Sequence, residues 1–550
     1  MATDSEIAFP ALSESEIDAL KKFGGERQVK EGEMLFREGD RDFCFFVILD
    51  GEVEIFETSH GKPQRVVVHG PKQFTGDVDM LSGRAALVNA KVIREGKVLA
   101  LSSAALKRVV SELPEVSERL LKAFLSRRAL LIKSGFGGIK IIGSRFSADT
   151  HRIRDFTNRN AIPATWIDLE SDPQAETILC QFGIPASDTP VVIGSDGQIL
   201  KNPTNAEVGH MLGLEAHLDP AEIYDLVIVG AGPSGLAAAV YAASEGLNVQ
   251  TFDCVAAGGQ AGTSSRIENY LGFPIGISGV DLTSNALLQA QKFGASINVP
   301  ANVSKLRAEG GDRIVEFDDG SSIRCRCVLV ATGMEYRRIA VERLGDFEGS
   351  GVYYAATEME ARLCGGEEVV VVGGGNSAGQ ATMYLSRYAR KVHLVIRGDD
   401  LGKSMSRYLV ERVGRQLSNV DVHYNSHVTS IDGDDRLKSV VITAASGQTT
   451  KVSASALFIF IGAAPHTRWL QGCIQLDKRG FVLTGQSLPP ESLQSESWKS
   501  VARPPMFLET SLPGVFAAGD ARSGSVKRVA SAVGEGSMAV SFVHAHIGKL

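Results

Sequence analysis

Two glycine-rich turns are the residues of this sequence that are best suited to chemistry. The first, Gly230 to Gly235, reads GAGPSG and follows an apolar run that ends at Val229. The second, Gly373 to Ala378, reads GGGNSA and follows an apolar run that ends at Val372. Glycines at this spacing permit a tight turn from strand to helix and let the backbone approach a pyrophosphate at the positive end of the helix. Two such turns predict two dinucleotides, and FAD with NAD(P)H is the usual pair.

The residue that ends the second strand of each unit predicts how the sugar of each dinucleotide is held. Asp253 follows the strand Asn248 to Phe252, where a carboxylate can hold the adenosine ribose. In the second unit the strand Val392 to Ile396 runs into Arg397. NAD enzymes usually place a carboxylate there, and it would repel a 2′-phosphate. Arg397 therefore favours NADPH, with NADH as the alternative.

Length and composition limit the class of protein. The chain has 550 residues, which predicts several domains, and its 44% hydrophobic and 22% charged residues are typical of globular α/β folds. A net charge of −7 argues against nucleic acid as a partner. The N-terminus lacks the pattern of a secretory signal, and the apolar runs are shorter than the roughly 20 residues that span a bilayer. We therefore expect a cytoplasmic protein without membrane contact.

Residues 1–135 alternate short β-rich runs with glycine turns and then show a helical pattern from Ser102 to Lys133, which predicts an antiparallel barrel closed by helices. The runs LFREGD and FFVILDGEVE, which begin at Leu35 and Phe45, resemble those of the cyclic-nucleotide-binding domains of catabolite activator proteins and cyclic-nucleotide-dependent kinases. In that family an acidic residue holds the ribose hydroxyl and an arginine neutralises the cyclic phosphate. The resemblance places this phosphate cassette at Gly76, Asp77, Arg84 and Ala85.

The cassette departs from the family pattern in two ways. Asp77 stands where the family has the longer glutamate, and the loop that leads to Arg84 is shorter than usual. The alternative for the barrel is a docking or dimerisation module that binds no cyclic nucleotide.

Residues 136–218 show the order β-α-β-α-β-β, with Thr189 and Pro190 directly before a strand. This order resembles the glutaredoxin branch of the thioredoxin fold, in which the proline at this point is cis. The positions of that family's C-x-x-C pair hold Ser147 and Thr150, so we expect a redox-silent domain in which Asp149 or Thr150 caps a helix. A plain linker domain is the alternative.

Residues 222–550 resemble thioredoxin reductases. The similarity lies in the GGQ run that ends at Gln260, the IENYLGFP run that begins at Ile267, the turn Ala331 to Gly333, and the run Pro513 to Asp520. It implies an α/β fold with two Rossmann-like domains and a homodimer. The FAD domain, 219–335 and 454–550, would be split by an NAD(P)H domain at 336–453.

The motifs and the resemblance together predict the dinucleotide contacts. These are Gly230, Gly232, Pro233, Ser234, Gly235, Asp253, Gly259, Gln260, Asn269, Ala331, Thr332, Gly333, Gly373, Gly375, Asn376, Ser377, Arg397, Gly519, Asp520, Arg528 and Val529. We expect no metal site, and the seven scattered cysteines argue against a disulfide framework.

One motif of thioredoxin reductases is missing. The family carries Cys-Ala-Thr-Cys shortly after a Gly-Val pair, and here the run after Val352 places Ala355 and Glu358 at the two cysteine positions. Thr357 and Glu360 have the spacing of a helix capping box. The alternative interpretation makes Glu358 a proton donor near the flavin.

The leading hypothesis is therefore an enzyme that passes a hydride from NADPH to FAD and the electrons on to an acceptor other than an internal dithiol. Ferredoxin, a quinone or oxygen are candidates, and no residue is predicted as an acid-base catalyst. A second hypothesis is a sensor or scaffold that binds FAD without significant turnover. A third is a disulfide reductase that uses Cys254 or Cys364 as a single thiol.

Overall fold

A computed structural model gives the fold of residues 7–58, 63–134, 138–181, 183–194, 197–214, 218–219, 221–415, 417–501 and 503–548. The chain forms an N-terminal β domain, a small mixed α/β domain and two larger α/β domains that carry the glycine-rich turns. The predicted boundary at residues 135 and 136 lies outside the described residues. No helix within those ranges is long and apolar enough to cross a membrane.

The N-terminal domain is one antiparallel sheet of five strands in the order β1-β5-β3-β4, with β2 paired to β5. From Gly51 to Glu57, alternate residues of the long strand β3 are buried, as expected for a sheet with one apolar face, whereas Phe45 to Ile48 are all buried. The helical pattern predicted from Ser102 is interrupted at Leu113, because Pro114 starts a new helix. The elements are α1 Glu14–Leu20, β1 Gly25–Val29, β2 Met34–Phe36, β3 Phe45–Glu57, β4 Gln64–His69, α2 Asp79–Ser82, β5 Asn89–Leu101, α3 Ser103–Glu112 and α4 Pro114–Ser134.

The second domain has a four-stranded sheet in the order β7-β6-β8-β9, in which β6 and β7 are parallel and the other pairs antiparallel. The Thr189–Pro190 peptide bond is cis. Ser147, not Asp149 or Thr150, caps α5, because its hydroxyl accepts the backbone N–H of Thr150 at 3.2 Å. The elements are β6 Ile139–Gly143, α5 Ala148–Arg159, β7 Ala164–Asp168, α6 Gln174–Gln181, β8 Val191–Ile193, β9 Ile199–Lys201 and α7 Asn205–Met211.

The third domain is built on a sheet whose parallel strands β12, β11, β10 and β15 lie side by side. The first glycine-rich turn connects β10 to α8, so it lies at the carboxyl edge of this sheet. β10 is buried on both faces, as a central parallel strand must be. The elements are β10 Ile223–Val229, α8 Pro233–Ser244, β11 Val249–Phe252, α9 Gly279–Lys292, β12 Ser296–Asn298, β13 Val303–Glu309, β14 Asp312–Phe317, β15 Ser322–Val330 and β16 Met334–Tyr336.

The inserted domain has a parallel sheet in the order β17-β24-β18-β19-β20 and a separate antiparallel sheet, β21-β22-β23. Its last strand, β24, lies between β17 and β18, so the insertion continues past the boundary predicted at residue 453. The elements are β17 Val352–Tyr353, α10 Glu358–Leu363, β18 Glu368–Val372, α11 Asn376–Leu385, β19 Lys391–Val395, α12 Arg407–Arg415, β20 Val420–His423, β21 Ser426–Gly433, β22 Leu437–Ala444, β23 Thr449–Val452 and β24 Ala454–Ile459.

The chain returns to the third domain through β25, which pairs with β16 in a two-stranded ribbon. This ribbon is the crossing point, because its two strands carry the chain into and out of the insertion. β26 then joins β15 in the main sheet, and the long helix α14 packs against α8. The remaining elements are β25 Ala463–Pro465, α13 Glu496–Lys499, β26 Val515–Ala517 and α14 Val529–Ile547.

Candidate dinucleotide site

A cavity of about 550 Å³ lies at the carboxyl edge of the third domain's sheet, where that domain faces the insertion. It brings together thirteen of the residues predicted from the sequence. Those in its wall are Gly232, Pro233, Ser234, Asp253, Gly259, Gln260, Ala331, Thr332, Gly333, Ser377, Asp520, Arg528 and Val529. Four chain segments that are far apart in the sequence therefore converge on one site.

The first glycine-rich turn shapes the floor of this cavity. Gly230 has φ +107°, a conformation that favours glycine, and a Cβ on Gly235 would collide with the carbonyl oxygen of Gly230. Gly232 is the N-cap of α8 and offers no side chain to its first N–H groups. These N–H groups and the positive end of α8 therefore remain available to an anionic pyrophosphate.

Two hydroxyl groups in the wall are ready for a ligand. Ser234 Oγ and Thr332 Oγ1 are buried, and neither has a hydrogen-bond partner within the described ranges. Buried polar atoms are nearly always paired in folded proteins. A dinucleotide with phosphate and ribityl oxygens would satisfy both, so these residues fit FAD.

Asp253 is held in place by backbone N–H groups. Its Oδ2 accepts the N–H of Ala231 at 2.9 Å, and its Oδ1 accepts those of Val255 and Ala256 at 3.0 and 3.1 Å. The carboxylate therefore ties the first glycine-rich turn to the loop after β11. Since a carboxylate has about four acceptor sites and three are used, about one remains for a hydroxyl group of a ribose.

The residues around Gly519 complete the opposite wall. The backbone N–H of Gly519 donates to Glu535 at 2.7 Å, and Lys527 Nζ donates to the carbonyl oxygen of Asp520 at 2.6 Å. Burial raises the pKa of Asp520. Arg528 is the N-cap of α14, so a second helix N-terminus faces the cavity.

Asn269 is a predicted contact that lies away from the cavity. Asn269 is exposed and outside the cavity wall. Its neighbour Glu268 accepts a hydrogen bond from Arg412 of the inserted domain at 2.8 Å. The motif at this point thus joins two domains, while Gln260 is the residue of the same region that lines the cavity and donates to the carbonyl oxygen of Met334.

The inserted domain contributes the second glycine-rich turn. Gly373 has φ +144° and packs against the carbonyl group of Phe460, and Gly375 is the N-cap of α11. Asn376 Oδ1 accepts the backbone N–H of Ser406 at 2.7 Å, which fixes the start of the helix. Ser377 lies in the cavity wall, so the turn borders the space between the two domains.

Arg397 follows β19 at the same sheet edge as this turn. Its side chain is exposed and makes no hydrogen bond or ion pair with the part of the chain that the structure describes. Lys403 Nζ, in contrast, is paired with Asp399 at 2.5 Å. Arg397 is therefore the cation that can bind a 2′-phosphate without first breaking an ion pair.

The segment that replaces the family's dithiol divides between the cavity and the surface. Ala355 and Ala356 line the cavity, whereas Glu358 is exposed and paired with Arg362 at 2.5 Å. The predicted capping box is confirmed, since Thr357 caps α10 and the Glu360 carboxylate accepts the Thr357 N–H at 2.7 Å. Glu358 therefore lies outside the cavity wall, and this position argues against the interpretation of Glu358 as a proton donor near the flavin.

Two residues of the second domain were missed in the sequence. Arg159, at the end of α5, lines the cavity and donates to the carbonyl oxygen of Gly259 at 3.3 Å. Asn160 Nδ2 donates to the carbonyl oxygen of Val255 at 2.9 Å. No motif marks either residue, because both contact backbone atoms about a hundred positions away in the chain.

The N-terminal domain has a cavity of its own, of about 230 Å³. Gly76 and Asp77 lie in its wall, whereas Arg84 and Ala85 do not. Arg84 Nη1 instead donates to the carbonyl oxygen of Asn160 in the second domain, at 3.2 Å. The structure thus brings two of the four predicted cassette residues to this cavity.

Comparison with known proteins places this architecture in a family. Residues 224–536 match the pyridine nucleotide-disulphide oxidoreductase family, and residues 26–112 match the cyclic nucleotide-binding domain. The first match covers more than half of the chain. The protein belongs to the pyridine nucleotide-disulphide oxidoreductases. Enzymes of this kind that resemble thioredoxin reductase use FAD and NADPH, and the cavity residues of this oxidoreductase fit both.

Individual relatives of this oxidoreductase are thioredoxin reductases. The thioredoxin reductase of Streptomyces clavuligerus is 31% identical over 332 residues, which cover 60% of this chain and 96% of that protein. NADPH-dependent thioredoxin reductase 3 of Arabidopsis thaliana is 31% identical over 325 residues, covering 58% of this chain and 57% of that protein. The structure of Lactococcus lactis thioredoxin reductase aligns with a TM-score of 0.53 and 25% identity, covering 60% of this chain and 100% of that chain. The structure of T. acidophilum thioredoxin reductase aligns with a TM-score of 0.52 and 29% identity, covering 58% of this chain and 98% of that chain.

The free guanidinium of Arg397 generates a prediction about cofactor choice in this oxidoreductase. We expect Arg397→Ala to raise KM for NADPH by roughly tenfold or more, because it removes one charge-assisted hydrogen bond to the 2′-phosphate. KM for NADH should not change, since NADH has no 2′-phosphate. Lys403→Ala is the matched control and should have a smaller effect, because its ammonium group is already paired with Asp399. Equal changes for the two cofactors would show that Arg397 does not bind the 2′-phosphate.

Proposed function

We propose that this oxidoreductase takes a hydride from NADPH through bound FAD and delivers the electrons to an acceptor other than an internal dithiol. When bound, FAD supplies hydride acceptance and onward electron transfer. The observation that carries the proposal is the pair of positions at which the thioredoxin reductases have cysteines. Ala355 is in the cavity wall and Glu358 is outside it, and neither side chain can form or break a disulfide.

Two of the remaining thiols, Cys254 and Cys364, are poor substitutes for that pair. Cys254 lines the cavity, where desolvation and the neighbouring Asp253 carboxylate raise the pKa of its thiol to about 11. Cys364, the C-cap of α10, is buried, and burial raises the pKa of its thiol to about 12. Since the thiolate is the attacking species, both are largely protonated and unreactive at neutral pH. A lone thiol that did attack would form a mixed disulfide that needs a second thiol for its release.

The second domain supplies no dithiol at the positions that its resemblance to the thioredoxin fold predicts. These positions hold Ser147 and Thr150, and the Ser147 hydroxyl caps the helix. Arg159 and Asn160, at the other end of α5, hold backbone atoms of the loops that border the flavin cavity. A structural role for this domain follows from these contacts.

The electron acceptor generates the central functional prediction. We expect NADPH to bleach the bound flavin in a stopped-flow trace, and oxygen, a quinone or ferredoxin to restore its colour, whereas oxidised thioredoxin should not. The physical reason is that no pair of thiols connects the flavin to a protein disulfide. The variant Cys254→Ser with Cys364→Ser is the control and should reproduce the wild-type trace. If this double variant still reduced thioredoxin catalytically, the assignment of the family's two cysteine positions to Ala355 and Glu358 would be wrong.

A scaffold that binds FAD without turnover is the alternative function. Steady-state NADPH consumption separates the two, because a scaffold consumes no NADPH with any of the acceptors. Location in the cytoplasm and assembly as a homodimer stay predictions from the sequence.

We also propose that the N-terminal domain regulates the flavin site, and a cyclic nucleotide is the ligand that its sequence predicts. The observation that favours regulation is a direct connection through the second domain. Arg84 donates to Asn160, and Asn160 donates to Val255 in the loop that Asp253 orders. Movement of Arg84 would therefore act on a loop that borders the cavity.

This connection can be tested without any ligand of the N-terminal domain. We expect Arg84→Ala to speed the release of FAD by roughly three- to tenfold, the equivalent of about 1 kcal/mol for one lost hydrogen bond. Arg65→Ala is the matched control, because Arg65 is an exposed arginine of the same domain whose ion pair within the described ranges is with Glu54. Equal FAD release rates in both variants and the wild type would show that the hydrogen bond from Arg84 to Asn160 does not act on the cavity.

A further inference from the structure

Arg159 is a cation that the second domain contributes to the wall of the dinucleotide cavity. It is the last residue of α5, and its Nη2 donates to the carbonyl oxygen of Gly259 at 3.3 Å. The residue precedes residues 224–536, the segment that matches the oxidoreductase family, so no motif of that family assigns it a role. The charges and contacts around Arg159 indicate one.

The third domain supplies no cation of its own beside the first glycine-rich turn. Its wall residues from Gly232 to Ser265 include the carboxylate of Asp253 and, among those that the structure describes, neither a lysine nor an arginine. Lys527 and Arg528 belong to the opposite wall, around Gly519. The pyrophosphate of FAD is anionic, and burying a charge without a partner is costly. On this side of the cavity, Arg159 is the side chain that can supply the partner charge.

Arg159 lies close to the place where a pyrophosphate would bind. A Cβ on Gly259 would come within 2.9 Å of the Cα of Gly232, so the backbone of Gly259 packs directly on the N-cap of α8. The N-terminus of the helix after a glycine-rich turn is where the pyrophosphate of a dinucleotide sits. The backbone of one residue therefore separates the guanidinium group of Arg159 from this phosphate site.

The guanidinium group also has donors left for a ligand. A guanidinium carries several N–H groups, and Nη1 of Arg159 lies 3.7 Å from Asp155 Oδ2, beyond hydrogen-bond distance. The side chain is 22% exposed, so it is partly buried and still accessible from the cavity that it lines. Its charge acts on a neighbouring wall residue: desolvation and Asp253 raise the pKa of the Cys254 thiol, and Arg159 opposes this rise.

We propose that Arg159 is an FAD-binding residue that donates to the pyrophosphate, so that the second domain completes the FAD site of the third domain. A planar guanidinium group suits this role because it can donate to two phosphate oxygens at once. The inference rests on FAD as the bound dinucleotide and is independent of the electron acceptor. Its test measures binding, so it can fail while hydride transfer through FAD holds, and it can succeed in a scaffold without turnover.

The first experiment measures the rate at which the FAD-loaded protein releases FAD, followed by the rise in flavin fluorescence. Arg159→Gln removes the charge and keeps an amide that can donate to Gly259. We expect this variant to release FAD roughly tenfold faster or more, because a charge-assisted hydrogen bond is lost. Arg159→Lys keeps the charge without the planar fork, so its release rate should lie between those of Arg159→Gln and the wild type.

Asn160→Ala is the matched control, because it removes the adjacent hydrogen bond between the same two domains, to the carbonyl oxygen of Val255, without removing a charge. Its effect on FAD release should be smaller than that of Arg159→Gln. Unfolding temperatures of all variants verify that each is folded.

A second measurement separates contact with the pyrophosphate from a role in domain docking alone. The full-length chain, freed of FAD, is titrated with ADP or adenosine in competition with FAD. We expect Arg159→Gln to weaken ADP binding by roughly tenfold and to leave adenosine binding unchanged, since adenosine has no phosphate. Asn160→Ala should affect both ligands equally. The proposal is overturned if Arg159→Gln weakens adenosine as much as ADP, or if it releases FAD no faster than Asn160→Ala.

Discussion

The candidate dinucleotide cavity depends on close contact between backbone segments at the first glycine-rich turn. A Cβ on Gly235 would collide with Gly230, and a Cβ on Gly536 of α14 would collide with the carbonyl oxygen of Ser234. Three segments, β10, α8 and α14, therefore meet where no side chain fits. This contact brings two helix N-termini, those of α8 and α14, to one cavity. An anionic dinucleotide suits this arrangement because both helix dipoles are positive there.

The second domain holds the other domains in place through α5. His151 Nε2 on this helix lies 3.6 Å from the Glu360 carboxylate of the inserted domain. Arg159 and Asn160 donate to backbone carbonyl oxygens in the loops that border the cavity. The carbonyl oxygen of Asn160 accepts a hydrogen bond from Arg84 of the N-terminal domain. A helix of three turns thus contacts three domains. At the N-terminus of the same helix, the Ser147 hydroxyl is the cap. The contacts therefore give this domain a structural role between the other three.

Local patterns in the sequence predicted much of this site, and long-range contacts were not predictable. The glycine turns and the Thr357 capping box depend on residues within a few positions of each other, so their chemistry is visible in the sequence. Arg159 and Arg84 use backbone oxygens of other domains as partners, and a backbone oxygen carries no sequence signal. The end of the insertion was placed too early because β24 is a buried apolar strand, a pattern that suits either sheet.

The account rests on the claim that the flavin is the only redox centre of this oxidoreductase. Anaerobic reductive titration with dithionite measures this directly, because it counts the electrons that each chain accepts. A chain with FAD alone takes up two electrons per flavin, whereas a flavin with a redox-active dithiol takes up four. The account predicts an end point at two electrons per FAD. An end point at four would contradict it and would show that a disulfide among the seven cysteines exchanges electrons with the flavin.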